Sequence, residues 1–148
     1  MTMKTKAFNE PLLSHLRGIV RNHDLAKFGD SLTNFIYSLA KTKTKNKPFG
    51  ERVYDKVLAE AMRQTNLRDL LQSSITSGQI ADGAEALIGH AFLEELLTLE
   101  EMVAMIEEVI APINQEGEQP KYLERDLMII AFVKLLEEIV SKTEVLKK

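Results

Sequence analysis

The chain has no cysteine and no tryptophan in its 148 residues. The absence of cysteine excludes disulfides, thiolate metal sites and a cysteine nucleophile. No run of apolar residues approaches the roughly 18 that a membrane-spanning helix needs. The segment 1–9 holds two lysines but no apolar stretch typical of a signal peptide. These absences predict a cytoplasmic protein that does not enter a membrane.

Residues that interrupt helices are also scarce, with only four prolines and seven glycines. Apolar residues recur at steps of three and four, which is the spacing of one buried helix face, and no segment alternates as a strand does. The pattern predicts six helices, over residues 9–22, 24–39, 52–64, 79–97, 99–110 and 122–145. We therefore expect a single all-α domain over residues 1–148. Asp24 is the expected N-cap of the second helix.

Three further stretches are predicted to be loops or turns. Lys41 to Gly50 is rich in lysine and ends in Lys-Pro-Phe-Gly, which favours a basic loop. A short turn is expected over Leu67 to Leu71. Asn114 to Gln119 is predicted to be a polar turn before the last helix.

Charge is unevenly distributed along the chain. The net charge of −3 by itself argues against a nucleic-acid partner. However, four cations stand within seven residues of the predicted basic loop, namely Lys41, Lys43, Lys45 and Lys47. Acidic residues concentrate in residues 94–118, so one face can be basic while another is acidic. The lysines are candidate contacts to RNA phosphates, whose affinity is independent of sequence, and a merely soluble loop is the alternative.

Three acidic residues interrupt the amphipathic pattern. Asp30 follows Gly29 inside the second predicted helix, and Asp82 and Glu85 stand three positions apart on the fourth. Carboxylates at this spacing point the same way and repel each other, so they need a cation or solvent between them. A glycine inside a helix costs about 0.5–1 kcal/mol relative to alanine. Gly29 therefore indicates that another backbone or a ligand comes close.

Glycines also flank the second acidic pair. Gly83 lies between its two members and Gly89 follows one turn later, which thins the helix for close packing. Carboxylates that converge from two helices suit a hard cation such as Mg²⁺, which assists phosphodiester hydrolysis. Surface acids on helices are common, so the pattern alone is also compatible with solvated side chains.

Two motifs resemble a known family. The segment Asp24–Ser31, with the sequence DLAKFGDS, resembles the ribonuclease III signature, whose core reads Leu-Glu-Phe-Leu-Gly-Asp-Ser or Ala. The segment Asp82–Gly89, with the sequence DGAEALIG, resembles the second motif of that family, Asp-x-x-Glu-Ala-Leu-Ile-Gly. The resemblance covers residues 16–110, and the C-terminal segment from about residue 121 lies outside it.

The resemblance implies a homodimeric, all-helical endoribonuclease that cleaves double-stranded or structured RNA. It implies that Asp30, Asp82 and Glu85 are catalytic residues and ligands of Mg²⁺ or Mn²⁺. The signature departs from the usual pattern at two positions, because Ala26 and His23 stand where the family commonly has glutamates. The compact branch called Mini-ribonuclease III also tends to carry alanine at the first position and lacks a separate RNA-binding domain. That likeness suggests ribosomal RNA precursor as a substrate.

Three other interpretations remain open. The missing glutamate motivates a catalytically inactive module that binds RNA or a ribonucleoprotein. The acidic region 94–118 motivates a helical protein-interaction domain with no role in RNA binding. The dipeptide His23-Asp24 invites an HD-type phosphohydrolase, but that class needs an earlier histidine, and the only one is His15 in the preceding helix.

Overall fold

The computed structural model describes residues 9–114 and 120–146. Within these ranges the chain is all-α, with no strand, which confirms the predicted fold class. The α-helices of the described ranges are α1 (Glu10–Val20), α2 (His23–Lys45), α3 (Asp55–Gln64), α4 (Ser77–Leu93), α5 (Leu99–Ile110) and α6 (Lys121–Leu146). Two short 3₁₀ helices cover Leu67–Leu70 and Ala111–Asn114. Residues 115–119 of the predicted polar turn lie outside the described residues.

No described helix combines the length and the apolarity that crossing a bilayer would require.

Side chains that accept from free backbone N–H groups mark where α1, α2, α4 and α5 begin. Asn9 caps α1, and Asn22 caps α2 by accepting from the backbone N–H of Leu25 at 3.1 Å. The N-cap of α2 is therefore Asn22, and the expected cap Asp24 lies inside the first turn, where its negative charge complements the helix dipole. Thr76 and Thr98 open α4 and α5 with reciprocal capping boxes.

Helix α2 extends beyond its predicted end. We expected it to stop near Leu39 and to be followed by a basic loop, but it continues to Lys45. The prediction of a loop over residues 41–45 is wrong because Lys41 and Thr44 turn inward and are buried in the packed structure. The helix ends where Asn46 adopts the left-handed conformation, with φ of 56°.

Helix α4 lies at the centre of the fold. Ten of its 17 residues are buried, so it is apolar on nearly all sides, as expected of a helix surrounded by others. It is packed by α1, α2, α3 and α6. Such a helix presents its few acidic side chains to the surface only where its neighbours leave a gap.

Helices α2 and α4 touch through their backbones. A Cβ atom added to Gly29 would lie 1.8 Å from the carbonyl oxygen of Glu85, and one added to Gly89 would lie 3.0 Å from the carbonyl oxygen of Leu25. The sequence-based inference that Gly29 marks a close approach is confirmed, and the approaching backbone belongs to the same chain. A Cβ atom added to Gly83 would lie 3.3 Å from the side chains of Leu71 and Met62.

An extended segment is hydrogen-bonded along one side of α2. Residues 47–54, called here the strap, run antiparallel to the helix. Backbone N–H groups of alternate strap residues donate to polar side chains that stand four positions apart on α2. The three hydrogen bonds are 2.8 to 2.9 Å long and join Val53 to Asn34, Glu51 to Ser38 and Phe49 to Thr42. These bonds hold the strap in one register on α2. They thereby determine where α3 begins.

We predict that Gly29→Ala strongly destabilises the protein, by about 3 kcal/mol or more, because a helix backbone cannot move away as a flexible side chain can. Gly18→Ala is the matched control, since a Cβ added there meets nothing within 4 Å. The control should gain about 0.5–1 kcal/mol. Equal free energies of unfolding for the two variants in urea would contradict the backbone contact.

Candidate active site

Four carboxylates from three helices line one cleft with a volume of about 260 Å³. Asp30 comes from α2, Asp55 from the first residue of α3, and Asp82 and Glu85 from α4. The remaining lining residues are His23, Ala26, Lys27 and Arg52. The structure therefore brings together the three acids that the sequence singled out and adds a fourth.

The backbone contact between α2 and α4 explains this convergence. Gly29 lies against the carbonyl of Glu85, so Asp30 follows directly on one side of the contact and Glu85 forms the other side. Asp82 stands one turn earlier on α4 and faces the same gap. The side chains meet because nothing larger than hydrogen separates the two backbones.

Glu85 is the most deeply placed member of the cluster, with only 4% of its surface exposed. Burial raises its pKa to about 9, together with a hydrogen bond to Asp30 and the negative charges of Asp30, Asp82 and Asp55. A carboxyl group with this pKa keeps its proton at neutral pH, and its O–H group donates a hydrogen bond to the Asp30 carboxylate. The proton held by Glu85 thus reduces the repulsion among the carboxylates of the cleft.

Asp82, at the surface of the cleft, is affected by the same neighbouring carboxylates. Burial is the main cause that raises its pKa, and the negative charges of Asp55 and Asp30 add to the increase, whereas His23 opposes it. Raised carboxylate pKa values in one cleft are typical of functional sites. The ionised forms of Asp82 and Glu85 are both disfavoured by the neighbouring negative charges, so a cation in the cleft would stabilise them.

Asn34 links the cleft to the strap. Its side-chain amide donates to Asp30 Oδ1 at 3.3 Å, and its amide oxygen accepts from the backbone N–H of Val53 at 2.8 Å. The strap residue Arg52 and the α3 residue Asp55 stand on either side of this anchor and line the cleft. The Asn34 side chain therefore holds Asp30 at a defined position relative to the end of the strap.

Sequence reasoning missed four lining residues that carry charge or can carry it: His23, Lys27, Arg52 and Asp55. Acidic residues are common in the first turn of a helix because they complement the helix dipole. Nothing local distinguishes Asp55 from such an acid. His23 and Lys27 are the two whose positions gave a signal, since His23 stands where the family commonly has a glutamate and Lys27 stands three residues before Asp30 in the signature segment.

The donor set suits a hard divalent cation, because all four acids offer oxygen. In the described ranges, no group of three or more His, Cys, Asp or Glu side chains stands close enough together to hold a metal ion directly. Mg²⁺ usually takes one or two carboxylates and retains several waters. The oxygens of this cleft therefore fit such an ion, which one or two of the four carboxylates would hold.

A comparison with known families bears on this cleft. The model of the ribonuclease III family matches residues 23–145. The chain belongs to the ribonuclease III family. The match starts at α2 and continues past the motif resemblance of residues 16–110 to include most of α6. The chain matches no curated protein.

Members of the ribonuclease III family act on double-stranded RNA, usually dimerise and generally depend on a divalent metal. The match concerns the family as a whole, so placement in the Mini-ribonuclease III branch stays a prediction.

The structure revises the predicted RNA contacts. Lys41 is 7% exposed, and its ammonium group is held by Glu51 at 2.6 Å and Glu124 at 3.0 Å. It therefore ties α2 to the strap and to α6, which corrects its assignment to an open basic loop and as a contact for RNA. The ammonium of Lys45 donates to the carbonyl oxygen of Ile113.

The other two lysines of this run are exposed. Lys43 is on the surface of α2, and Lys47 is on the strap with its ammonium 5.2 Å from the ring centre of Phe49. Neither lines the acidic cleft, where the cations are instead Lys27 and Arg52. Two of the four lysines therefore bond to other parts of the protein, and two are exposed on its surface.

The pKa of Glu85 predicts how stability depends on pH. The group ionises near 4.5 when unfolded and near 9 when folded, so the unfolded chain releases a proton that the folded protein keeps. In chelator, the wild-type protein therefore loses stability as the pH rises from about 4.5 to about 9.

Glu85→Gln cannot ionise, so its free energy of unfolding relative to wild type should increase steadily across this window. Urea unfolding at several pH values measures the difference, and Glu94→Gln at the exposed end of α4 is the control. Parallel pH profiles for Glu85→Gln and wild type would refute the raised pKa.

Proposed function

We propose that the protein is a divalent-metal-dependent endoribonuclease that cleaves double-stranded RNA. The observation that carries this proposal is the convergence of Asp30, Asp82 and Glu85 in one cleft of a chain that belongs to the ribonuclease III family. The clustered acids are electrostatically unfavourable without a cation. This supports a site built for one.

A divalent cation bound at these oxygens would supply activated water and would neutralise charge on the scissile phosphate. The protein contributes by positioning the carboxylates. Asp30 and Asp82 provide anionic oxygens at the mouth of the cleft, and Glu85 provides a buried carboxyl that must release its proton before it can bind a cation. Asn34 keeps the Asp30 carboxylate oriented through its amide hydrogen bond.

Cations at the rim are suited to hold the RNA backbone. Lys27 and Arg52 line the cleft, and both are exposed. A phosphate placed over the acids would be repelled without positive charge beside them, and these two side chains supply it. Lys43 and Lys47 extend the cationic surface outside the cleft, where contacts would depend on salt but not on sequence. Duplex RNA is recognised largely through such backbone contacts and through shape.

An exposed apolar patch on α2 and α4 is the proposed dimer interface. Phe28 and Phe35 lie seven residues apart on one face of α2, and they are 39% and 52% exposed. Phe92 and Leu93 at the end of α4 are 37% and 53% exposed, and the rings of Phe28 and Phe92 lie 6.2 Å apart. Large apolar residues grouped in this way favour burial against a partner. A second copy of the chain is the occupant consistent with the family.

We predict that the pure protein cleaves a long RNA duplex at low salt with Mg²⁺ or Mn²⁺ and does not cleave it with chelator. Asp30→Asn should lower the rate by about two orders of magnitude or more, the range for losing one preorganised electrostatic group. The matched control is Asp24→Asn, which removes an exposed acid from the same helix outside the cleft. It should cleave at nearly the wild-type rate.

The outcomes of this assay separate the interpretations. Binding without cleavage by the wild-type protein would contradict the enzyme and favour an inactive RNA-binding module. If the protein neither bound nor cleaved the duplex, RNA would be excluded as its partner. Cleavage that survives in Asp30→Asn would show that the acidic cleft is not the active site.

We predict that the wild-type protein is a dimer in sedimentation velocity experiments and that Phe35→Asp is a folded monomer. In a dimer, the carboxylate introduced at position 35 would be buried in the interface without a compensating positive charge, which is strongly unfavourable. Ile130→Asp is the control because Ile130 is a similarly exposed apolar residue, 45% exposed, on α6. A Phe35→Asp variant that sediments as wild type would exclude this patch as the interface.

A further inference from the structure

The cleft lacks a carboxylate at the signature position where the family commonly has a glutamate. Ala26 stands at that position of the signature and lines the cleft with a small methyl group, 7% exposed. It lies one helical turn before Asp30 on α2. A methyl group can bind neither a cation nor a water molecule, so position 26 contributes no ligand and Asp30 is the acid that α2 supplies to the cleft.

Another carboxylate enters the same cleft from a different helix. Asp55 is the first residue of α3, and its side chain lines the cleft together with Ala26, Asp82 and Glu85. Its negative charge raises the pKa of both Asp82 and Glu85, which places it within electrostatic range of the cluster. The cleft therefore holds a fourth acid, although the signature supplies one fewer than usual.

Local packing determines where Asp55 lies. A Cβ atom added to Gly78 would be 3.3 Å from Asp55 Oδ2, so the carboxylate lies against the first turn of α4, where a glycine leaves room for it. Two residues earlier, the backbone N–H of Val53 donates to Asn34, which also holds Asp30. The strap thus brings Asp55 and Asp30 to the same site through one amide side chain.

We propose that Asp55 is the fourth carboxylate of the metal site and that it replaces the glutamate absent at Ala26. This inference rests on the proposed function, because it assigns a further carboxylate, acting directly or through water, to the cation of that same site. The alternative role for Asp55 is to stabilise the N-terminus of α3 through the helix dipole, since it stands in the first turn. A dipole role predicts a loss of stability but no change in metal affinity.

The test measures Mn²⁺ binding by isothermal titration calorimetry and, separately, cleavage of an RNA duplex. Asp55→Asn should bind Mn²⁺ at least tenfold more weakly than wild type, the lower end of the loss that follows when an outer-shell partner of a metal ligand is removed. Asp69→Asn is the matched control, because Asp69 is an exposed acid in the first turn of the 3₁₀ helix Leu67–Leu70 and does not line the cleft. It should bind Mn²⁺ as wild type does.

The double variant Ala26→Glu with Asp55→Asn tests the replacement itself. Restoring a glutamate on α2 should recover both Mn²⁺ affinity and cleavage. Circular dichroism and thermal unfolding in chelator verify that each variant is folded, and the control Asp69→Asn calibrates the loss expected from a helix-start acid alone.

Each outcome decides the inference. Undiminished Mn²⁺ affinity in folded Asp55→Asn would overturn it while leaving the nuclease intact. A weakened Asp55→Asn that the glutamate at position 26 does not rescue would overturn the claim of replacement. A wild-type protein that binds no Mn²⁺ and cleaves no RNA would instead refute the proposed function, and this inference would fall with it.

Discussion

The backbone contact between α2 and α4 is the constraint on which the remaining structure depends. Gly29 meets the carbonyl of Glu85 with no side chain between them, and Gly89 repeats the contact one turn further along α4. Two helices at this distance present the residues beside the contact to a common gap. Asp30 and Glu85 share the cleft for that reason, since a larger residue at position 29 would separate the acids by the width of a side chain.

The same contact creates an electrostatic cost that the fold must offset. Glu85 is buried among other carboxylates, and its raised pKa of about 9 records how unfavourable its ionised form is there. Without a cation the cleft retains a proton, which leaves the folded protein less stable as the pH rises. A divalent ion and the cations Lys27 and Arg52 would offset the same repulsion in another way. Stability and the proposed activity therefore depend on one cluster of carboxylates, whose mutual repulsion a proton reduces and a divalent metal would also reduce.

A second set of polar bonds holds the periphery of the site. The strap is hydrogen-bonded to α2 at three positions, and Lys41 joins it to α6 through Glu51 and Glu124. Tyr37 also donates to Glu124, and its burial beside that carboxylate raises the pKa of its hydroxyl group. A buried cation between two carboxylates favours one arrangement strongly, since removing a partner would leave a charge without compensation. This network explains how a segment without regular secondary structure can deliver Asp55 accurately.

Although it misplaced the end of α2, the sequence by itself determined the all-α class, the close approach at Gly29 and the candidate acids Asp30, Asp82 and Glu85. These are local properties: apolar spacing, a glycine where helices disfavour it, and carboxylates one turn apart can all be read within a short segment. Only the tertiary structure decided that Lys41 turns inward and that Asp55 joins the cleft. A lysine near the end of a helix and an acid at the start of one are ordinary in any sequence. Their roles depend on which distant segments pack beside them, and that is set by the whole fold.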